Sequence, residues 1–334
     1  MALRGSLRVA NRSRWLMPGD EAARDAAGII AQRLDAPVAA AVERAAAHLT
    51  NALSGDRVVA ILAYGSCIRE TDPRDGLLDL YVVVSDYSVL HRGRMRRALT
   101  RILPPDVFYD AVPLVEGPIR VKYAVIAIDD FERGLARAFL PYLWGRFAQP
   151  ARLVWVRDSR VRERLLSGLQ RSVARLLATT CPLAPDPVTP DALWTKALSL
   201  SYGTELRPES PARAGRIVAR DADYYDRLTS ALVAAGELEL VPQAGQPSYR
   251  PLASRRQRLR AGTAWLLRRW LGRVVAIARL AKASFTFRGG VDYAAWKIER
   301  HTGTAIQVTP RLRRYPLIYG WGVLWRLLRQ RLVR

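Results

Sequence analysis

The chain has 334 residues, half of them hydrophobic, which is enough for a sizeable core and for two domains and excludes global disorder. Its two cysteines (Cys67, Cys181) and three histidines (His48, His91, His301) have no metal-ligand spacing, so a zinc site and a disulfide scaffold are set aside and a reducing compartment fits. The formal charge is +23 and uneven: residues 251–334 hold 19 Lys/Arg against two acids, Asp292 and Glu299, which points to an anionic partner, lipid headgroups or nucleic acid.

The N-terminus carries Arg4, Arg8, Arg12 and Arg14, with no acid before Asp20. It lacks the apolar core of a secretory signal, and reads as a basic arm or a short organellar presequence. From Gly19 to Leu53, apolar residues at helical spacing predict two helices separated by Pro37, with His48 late on the second as a structural residue. An apolar strand, Val58 to Leu62, stops at Gly65-Ser66. A polar loop, Arg69 to Gly76, then leads into the β-branched run Leu77 to Val84, which carries Asp79.

Ser88 to Leu103 predicts a basic helix stopped by Pro104-Pro105. Val107 to Leu114 and Ile119 to Ile128 predict paired strands around Glu116-Gly117-Pro118. A helix at Asp129 to Leu143, a strand at Arg152 to Val156 and an amphipathic helix at Glu163 to Leu177 follow. Pro182, Pro185, Pro187 and Pro190 mark a linker. Beyond it, helices are expected at Ala192 to Tyr202 and Arg213 to Ala235, and Leu238, Leu240, Val241 and Tyr249 suggest a small hairpin. Near the C-terminus, Gln257 to Ser284 predicts a long helix and Tyr293 to His301 a short one. Its most apolar part, Trp265 to Ala283, is interrupted by Arg268, Arg269, Arg273 and Arg279, too many charges for a membrane span. A terminal segment, Trp321 to Val333, puts Trp321 and Trp325 on an apolar face, with Arg326 and Arg329 elsewhere. That is the pattern of a membrane-surface helix, or of a helix packed on its own protein.

The chemistry centres on Gly65, Ser66 and Asp79. Glycine lets backbone amides approach a triphosphate, the Ser66 hydroxyl adds a donor, and Asp79 holds a divalent metal that neutralises phosphate charge. Lys122, inside an apolar strand, is either a phosphate contact or a snorkelling strand-end residue. Asp110 on a neighbouring strand either completes the metal site or is an ordinary edge residue. Glu205 and Arg207 either reach the site, to metal and phosphate respectively, or form a structural salt bridge.

The Gly-Ser turn followed by Asp79 resembles the nucleotidyltransferase superfamily of DNA polymerase β, except that Tyr81 stands where a second carboxylate is usual. A wider resemblance covers roughly residues 55 to 230. Ala63-Tyr64-Gly65-Ser66, Leu78-Asp79-Leu80, Asp86 with His91, Val121 to Ile126, Leu143 to Pro150, and Leu200 to Arg207 with Arg216 are similar to stretches of the mitochondrial-type phosphatidate cytidylyltransferases, the translocator assembly and maintenance family. The sequence departs from that family at Cys67 (usually Gly), Glu205 (usually Asp) and Asp110 (often Asn).

The resemblance implies an α+β fold. A polymerase-β-like nucleotidyltransferase domain with a mixed sheet and flanking helices would occupy residues 20–180. A helical, winged-helix-like domain would follow at 190–250, and a basic membrane-binding region at 251–334. It implies CMP transfer from CTP to phosphatidate, with pyrophosphate released and Mg2+ as cofactor. The implied site has Asp79 and Lys122 as catalytic residues, Tyr64, Gly65, Ser66, Lys122, Arg207 and Arg216 on CTP or phosphate, and Asp79, Asp110 and Glu205 on metal. An anionic membrane is the expected partner and no nucleic acid is expected. The location would be the cytoplasmic face of a bacterial plasma membrane, or alternatively the matrix face of the mitochondrial inner membrane. Two other readings stay open: a nucleotidyltransferase acting on RNA or a small-molecule hydroxyl, and an inert scaffold of the same fold.

Overall fold

In the computed structural model, residues 18–65, 76–113, 117–206, 211–286, 290–292, 295–296, 299 and 308–314 are described. Two helices come first, α1 (Pro18–Leu34) and α2 (Ala40–Ala52), broken apart around Pro37 as the sequence predicts. The sheet is built from β1 (Val58–Tyr64), β2 (Leu78–Val84), β3 (Asp106–Val112), β4 (Ile119–Ala127) and β5 (Ala151–Val156), in the order β3-β4-β2-β1-β5. β2 and β4 are parallel and every other pair is antiparallel, so the sheet is mixed.

The near-continuous apolar runs of β1, β2 and β4 follow from burial on both faces. One face carries Tyr81, Val83, Ala124 and Ile126 into a core shared with α1, α4 (Ile128–Ala136) and α6 (Ser159–Thr180). The other carries Leu80, Val82, Val121 and Val125 against Val42, Ala45 and Leu49 of α2. The basic helix predicted over Ser88 to Leu103 is shorter: α3 spans Arg94–Ile102, because Asp86 caps a separate 3-10 turn (Tyr87–Val89) and Gly93 stands at the helix start. The helix predicted over Asp129 to Leu143 likewise ends early, and a one-turn helix, α5 (Trp144–Phe147), follows Pro141.

α7 (Pro190–Tyr202), α8 (Pro211–Arg220) and α9 (Ala222–Ala234) form the second half, closed by the expected hairpin of β6 (Leu240–Pro242) and β7 (Tyr249–Pro251). The proline-rich linker is pinned rather than free. Val188 is buried and exchanges two backbone hydrogen bonds with Tyr249, at 2.9 and 2.8 Å. One apolar core runs from α1 through α6 into α7 and α9. The long helix α10 (Arg255–Thr286) then crosses back over the first half. Mixed sheet and flanking helices make the chain α+β. Among the described residues, no helix is long and apolar enough to cross a membrane.

Candidate active site

Asp79 stands near the start of β2, directly across the parallel register from Lys122 of β4. Paired residues share a face, and Lys122 Nζ lies 3.2 Å from Asp79 Oδ1, with both side chains about a third exposed. Gly65, which follows β1, has φ +81°, in the left-handed region that disfavours a side chain. A Cβ there would lie 4.0 Å from Asp79 Oδ2, so the backbone turns right beside the carboxylate.

Over this pair opens a cleft of about 430 Å³. Tyr64, Gly65 and Asp79 form its floor, and Arg146, Tyr202 and Glu205 its near wall. The far wall is α8, which presents Arg213, Arg216 and Arg220 at helical spacing, while Ala214 and Val218 pack inward. Four arginines against two carboxylates make it a cleft for an anion.

Arg146 joins floor to wall. Its Nη1 donates to the Tyr81 hydroxyl and its Nη2 to Glu205 Oε1, each at 3.3 Å. Its guanidinium lies 5.3 Å from the Tyr64 ring centre and 4.9 Å from that of Tyr142. Burial works against this charge, but the surrounding tyrosines and Glu205 outweigh it and hold Arg146 protonated. Tyr81 is fully buried, with its ring edge-on to Phe147 at 4.9 Å. Burial and the neighbouring Tyr142 push its hydroxyl well above the ordinary tyrosine range, so it is no proton acceptor at neutral pH.

Of the residues expected in the site, Tyr64, Gly65, Asp79, Glu205 and Arg216 line the cleft, and Lys122 bonds Asp79 beside it. Asp110 is a correction. It pairs with Val121, one position off Lys122, and therefore points to the opposite face of the sheet from Asp79. There it lies 3.4 Å from His48 Nε2 and accepts from the Ala111 amide. Asp86 and His91 are structural: the first caps the 3-10 turn, and the second lies 2.7 Å from buried Asp106. Ser66 and Arg207 lie outside the described residues, as do Trp321, Trp325, Arg326 and Arg329. Arg146, Arg213 and Arg220 were not singled out from sequence. Their signal was present in the Leu143 to Pro150 stretch and in the Arg213, Arg216, Arg220 spacing.

Among the described residues, no three His, Cys, Asp or Glu side chains converge as a closed metal cage requires. Asp79 and Glu205 facing one cleft do fit a magnesium ion, which takes one or two carboxylates and completes its shell with substrate phosphates and water.

A glycine turn set against an Asp on the adjacent strand of a mixed sheet, under an arginine-lined cleft, is an arrangement suited to holding a phosphate-bearing substrate. No family model matches the chain. Among curated proteins it is similar to phosphatidate cytidylyltransferase, mitochondrial, of Rattus norvegicus, with 23% identity over 196 residues. The match takes in 51% of this chain and 57% of the rat protein, so the chain spans little more than half the length of that relative. Among solved structures it is similar to a nucleotidyltransferase-like protein from Exiguobacterium sibiricum, at 14% identity over 88% of this chain and 93% of that one. The TM-score is 0.25.

Proposed function

We propose that the protein is a CTP:phosphatidate cytidylyltransferase that works at an anionic membrane surface and makes CDP-diacylglycerol. The observation that carries this reading is Tyr81. Where a hydroxyl acceptor would need a carboxylate to take its proton, this site has a buried phenol tied to Arg146. A phosphate acceptor needs no such base, because it is already anionic at neutral pH. It needs positive charge to meet a second anion, and Lys122, Arg146, Arg213, Arg216 and Arg220 supply it.

In this reading an oxygen of the phosphatidate phosphate forms a new bond to the α-phosphorus of CTP. The bond to the α–β bridging oxygen breaks, and pyrophosphate leaves with its electron pair. No proton has to move. Magnesium, held by Asp79 with Glu205 across the cleft, would neutralise triphosphate charge. The arginines of α8 orient the phosphates, and Lys122 holds the Asp79 carboxylate in place. The likeness to the rat enzyme supports the choice of substrates, and the matching location is the cytoplasmic face of a plasma membrane or the matrix face of a mitochondrial inner membrane.

The test is pyrophosphate release from each nucleoside triphosphate with Mg2+ and phosphatidate vesicles, RNA or small hydroxyl acceptors. Release that requires both CTP and phosphatidate is the expected result. Release with RNA or a hydroxyl acceptor would overturn the acceptor assignment, and no release with any pair would leave a scaffold.

A further inference from the structure

α10 turns charges inward and leaves the row Leu259, Leu266, Trp270 and Ile277 exposed. Arg268 donates to the Phe139 carbonyl and Arg279 to the Pro104 carbonyl, each at 3.1 Å, and Lys282 lies 2.7 Å from buried Asp106. Lys282 also donates to the Leu103 and Pro105 carbonyls, which fastens α10 to the end of α3. Two of these three cations are fully accounted for. Lys282 has the Asp106 carboxylate, and Arg268 lies over the rings of Phe139, Trp144 and Trp265. Arg279 is different. It lies 3.9 Å from the ring centre of Tyr142, the ring that Arg146 approaches at 4.9 Å, and among the described residues no carboxylate pairs with it.

Tyr142 thus joins Arg279 to the active site. Lys122 is near enough to add its charge at the same tyrosine, so Lys122, Arg146 and Arg279 converge there from β4, α5 and α10. The two carboxylates nearby are already engaged, Asp79 by Lys122 and Glu205 by Arg146. Burial works against the Arg279 charge, and the like charge of Arg146 adds to this, so together they outweigh Tyr142 and Tyr81 and lower the guanidinium from its ordinary range. An anion seated beside these three cations would relieve both effects.

Asp79 stands between this cluster and the arginines of α8. Its Oδ1 faces Lys122 on β4 and its Oδ2 faces Gly65 after β1, and β4 and β1 lie on opposite sides of β2. Gly65 and the α8 arginines line the cleft, while Lys122, Tyr142 and Arg279 stand on the other flank, towards β3. A phosphoryl transfer needs its attacking and leaving oxygens roughly in line, hence two anion sites on opposite flanks of one centre. The left-handed glycine turn suits the triphosphate, whose oxygens its backbone can approach closely, which leaves the Lys122 flank to the second anion. We infer that the phosphate monoester of the acceptor binds on the Lys122 flank of Asp79, and that Arg279 of α10 is a specificity-determining residue for it. The proposed reaction supplies the identity of the second anion, and the inference rests on it to that extent.

The experiment uses the full chain and water-soluble dihexanoyl phosphatidate, so that no membrane enters the measurement. Initial rates of pyrophosphate release with CTP and Mg2+ give separate KM values for acceptor and nucleotide. Isothermal titration with the acceptor alone gives its Kd without any reaction. Arg279→Gln is expected to raise the acceptor KM and Kd about tenfold or more, the scale of one charge-assisted contact, and to leave the nucleotide KM within about twofold. Arg279→Lys should recover part of the loss, and Arg213→Gln should show the reverse split. Arg268→Gln removes a comparable carbonyl bond from the same helix and controls for loosening of α10. Unchanged acceptor values in Arg279→Gln, a nucleotide KM that rises with them, or an equal effect from Arg268→Gln would overturn the inference. So would a wild type in which the acceptor neither binds nor reacts. A wild type that releases no pyrophosphate yet binds the acceptor through Arg279 would sink the proposed reaction and keep the subsite.

Discussion

Lys122 and Asp79 face each other across the parallel β2–β4 pair, 3.2 Å apart, at the mouth of the arginine-lined cleft. Asp110, on the next strand, looks the other way. The two aspartates therefore make opposite predictions. Asp79→Asn should lower pyrophosphate release by about 10²-fold or more, the scale for removing one charge-stabilising group. Asp110→Asn should leave it nearly unchanged, because that side chain cannot reach the cleft without passing through the sheet. Initial rates for the two purified variants, with matched circular dichroism spectra, check this.

Arg146 contacts Tyr81, Glu205, Tyr64 and Tyr142 at once, which only a planar guanidinium can do. Arg146→Lys is expected to keep the charge but lose these contacts, raising KM for the triphosphate and lowering kcat about tenfold. Tyr81→Phe removes a hydroxyl that does not accept a proton at neutral pH, so it should cost stability more than rate. A steady-state analysis alongside thermal melts separates the two.

Gly272 is in contact with Thr204, and Gly145 is similarly pressed against Ser201, where a Cβ would meet Oγ at 2.0 Å. Gly272→Ala must push the turn that carries Glu205, an overpacking cost of about 1–3 kcal/mol. Activity should fall by more than the lost stability accounts for at a temperature where the variant is still folded. Gly262, inside the same helix with open space around it, is the control: Gly262→Ala should leave activity unchanged and stabilise the helix by about 0.5–1 kcal/mol.

The Asp106–Lys282 pair sets an acid limit. Burial works against both charges. At Asp106 the Lys282, His91 and Thr100 hydrogen bonds outweigh it and hold the carboxyl below its ordinary range, whereas at Lys282 burial wins and lowers the ammonium. A depressed carboxyl contributes stability above the unfolded value near pH 4, and that contribution is lost as pH falls through the folded value. α10 should therefore loosen from α3 in acid before the sheet melts, seen as faster amide exchange over Gly272 to Ala283. Asp106→Asn should show that exchange already at neutral pH, with a stability loss of about 3–5 kcal/mol.

Several features could be read from residue order alone. Alternation and β-branching place the strands, Pro37 and Pro104-Pro105 break the helices, and Gly65 before Asp79 marks the turn and its carboxylate, because these are local preferences of the backbone. The helical spacing of Arg213, Arg216 and Arg220 was equally visible. That they line a cleft was not, since it depends on where α8 packs.

What only the tertiary structure decided is which residues share a face. Register moved Asp110 away from Asp79, because one step along a strand turns a side chain to the other side of the sheet. Packing brought Arg146 onto Tyr81 and Glu205, residues 65 and 59 positions away in the chain. It also turned the Leu259–Ile277 row of α10 outward, since Arg268, Arg279 and Lys282 found carbonyl and carboxylate partners inside. A sequence fixes the stripes on a helix, but which stripe faces water depends on the partners the rest of the fold supplies.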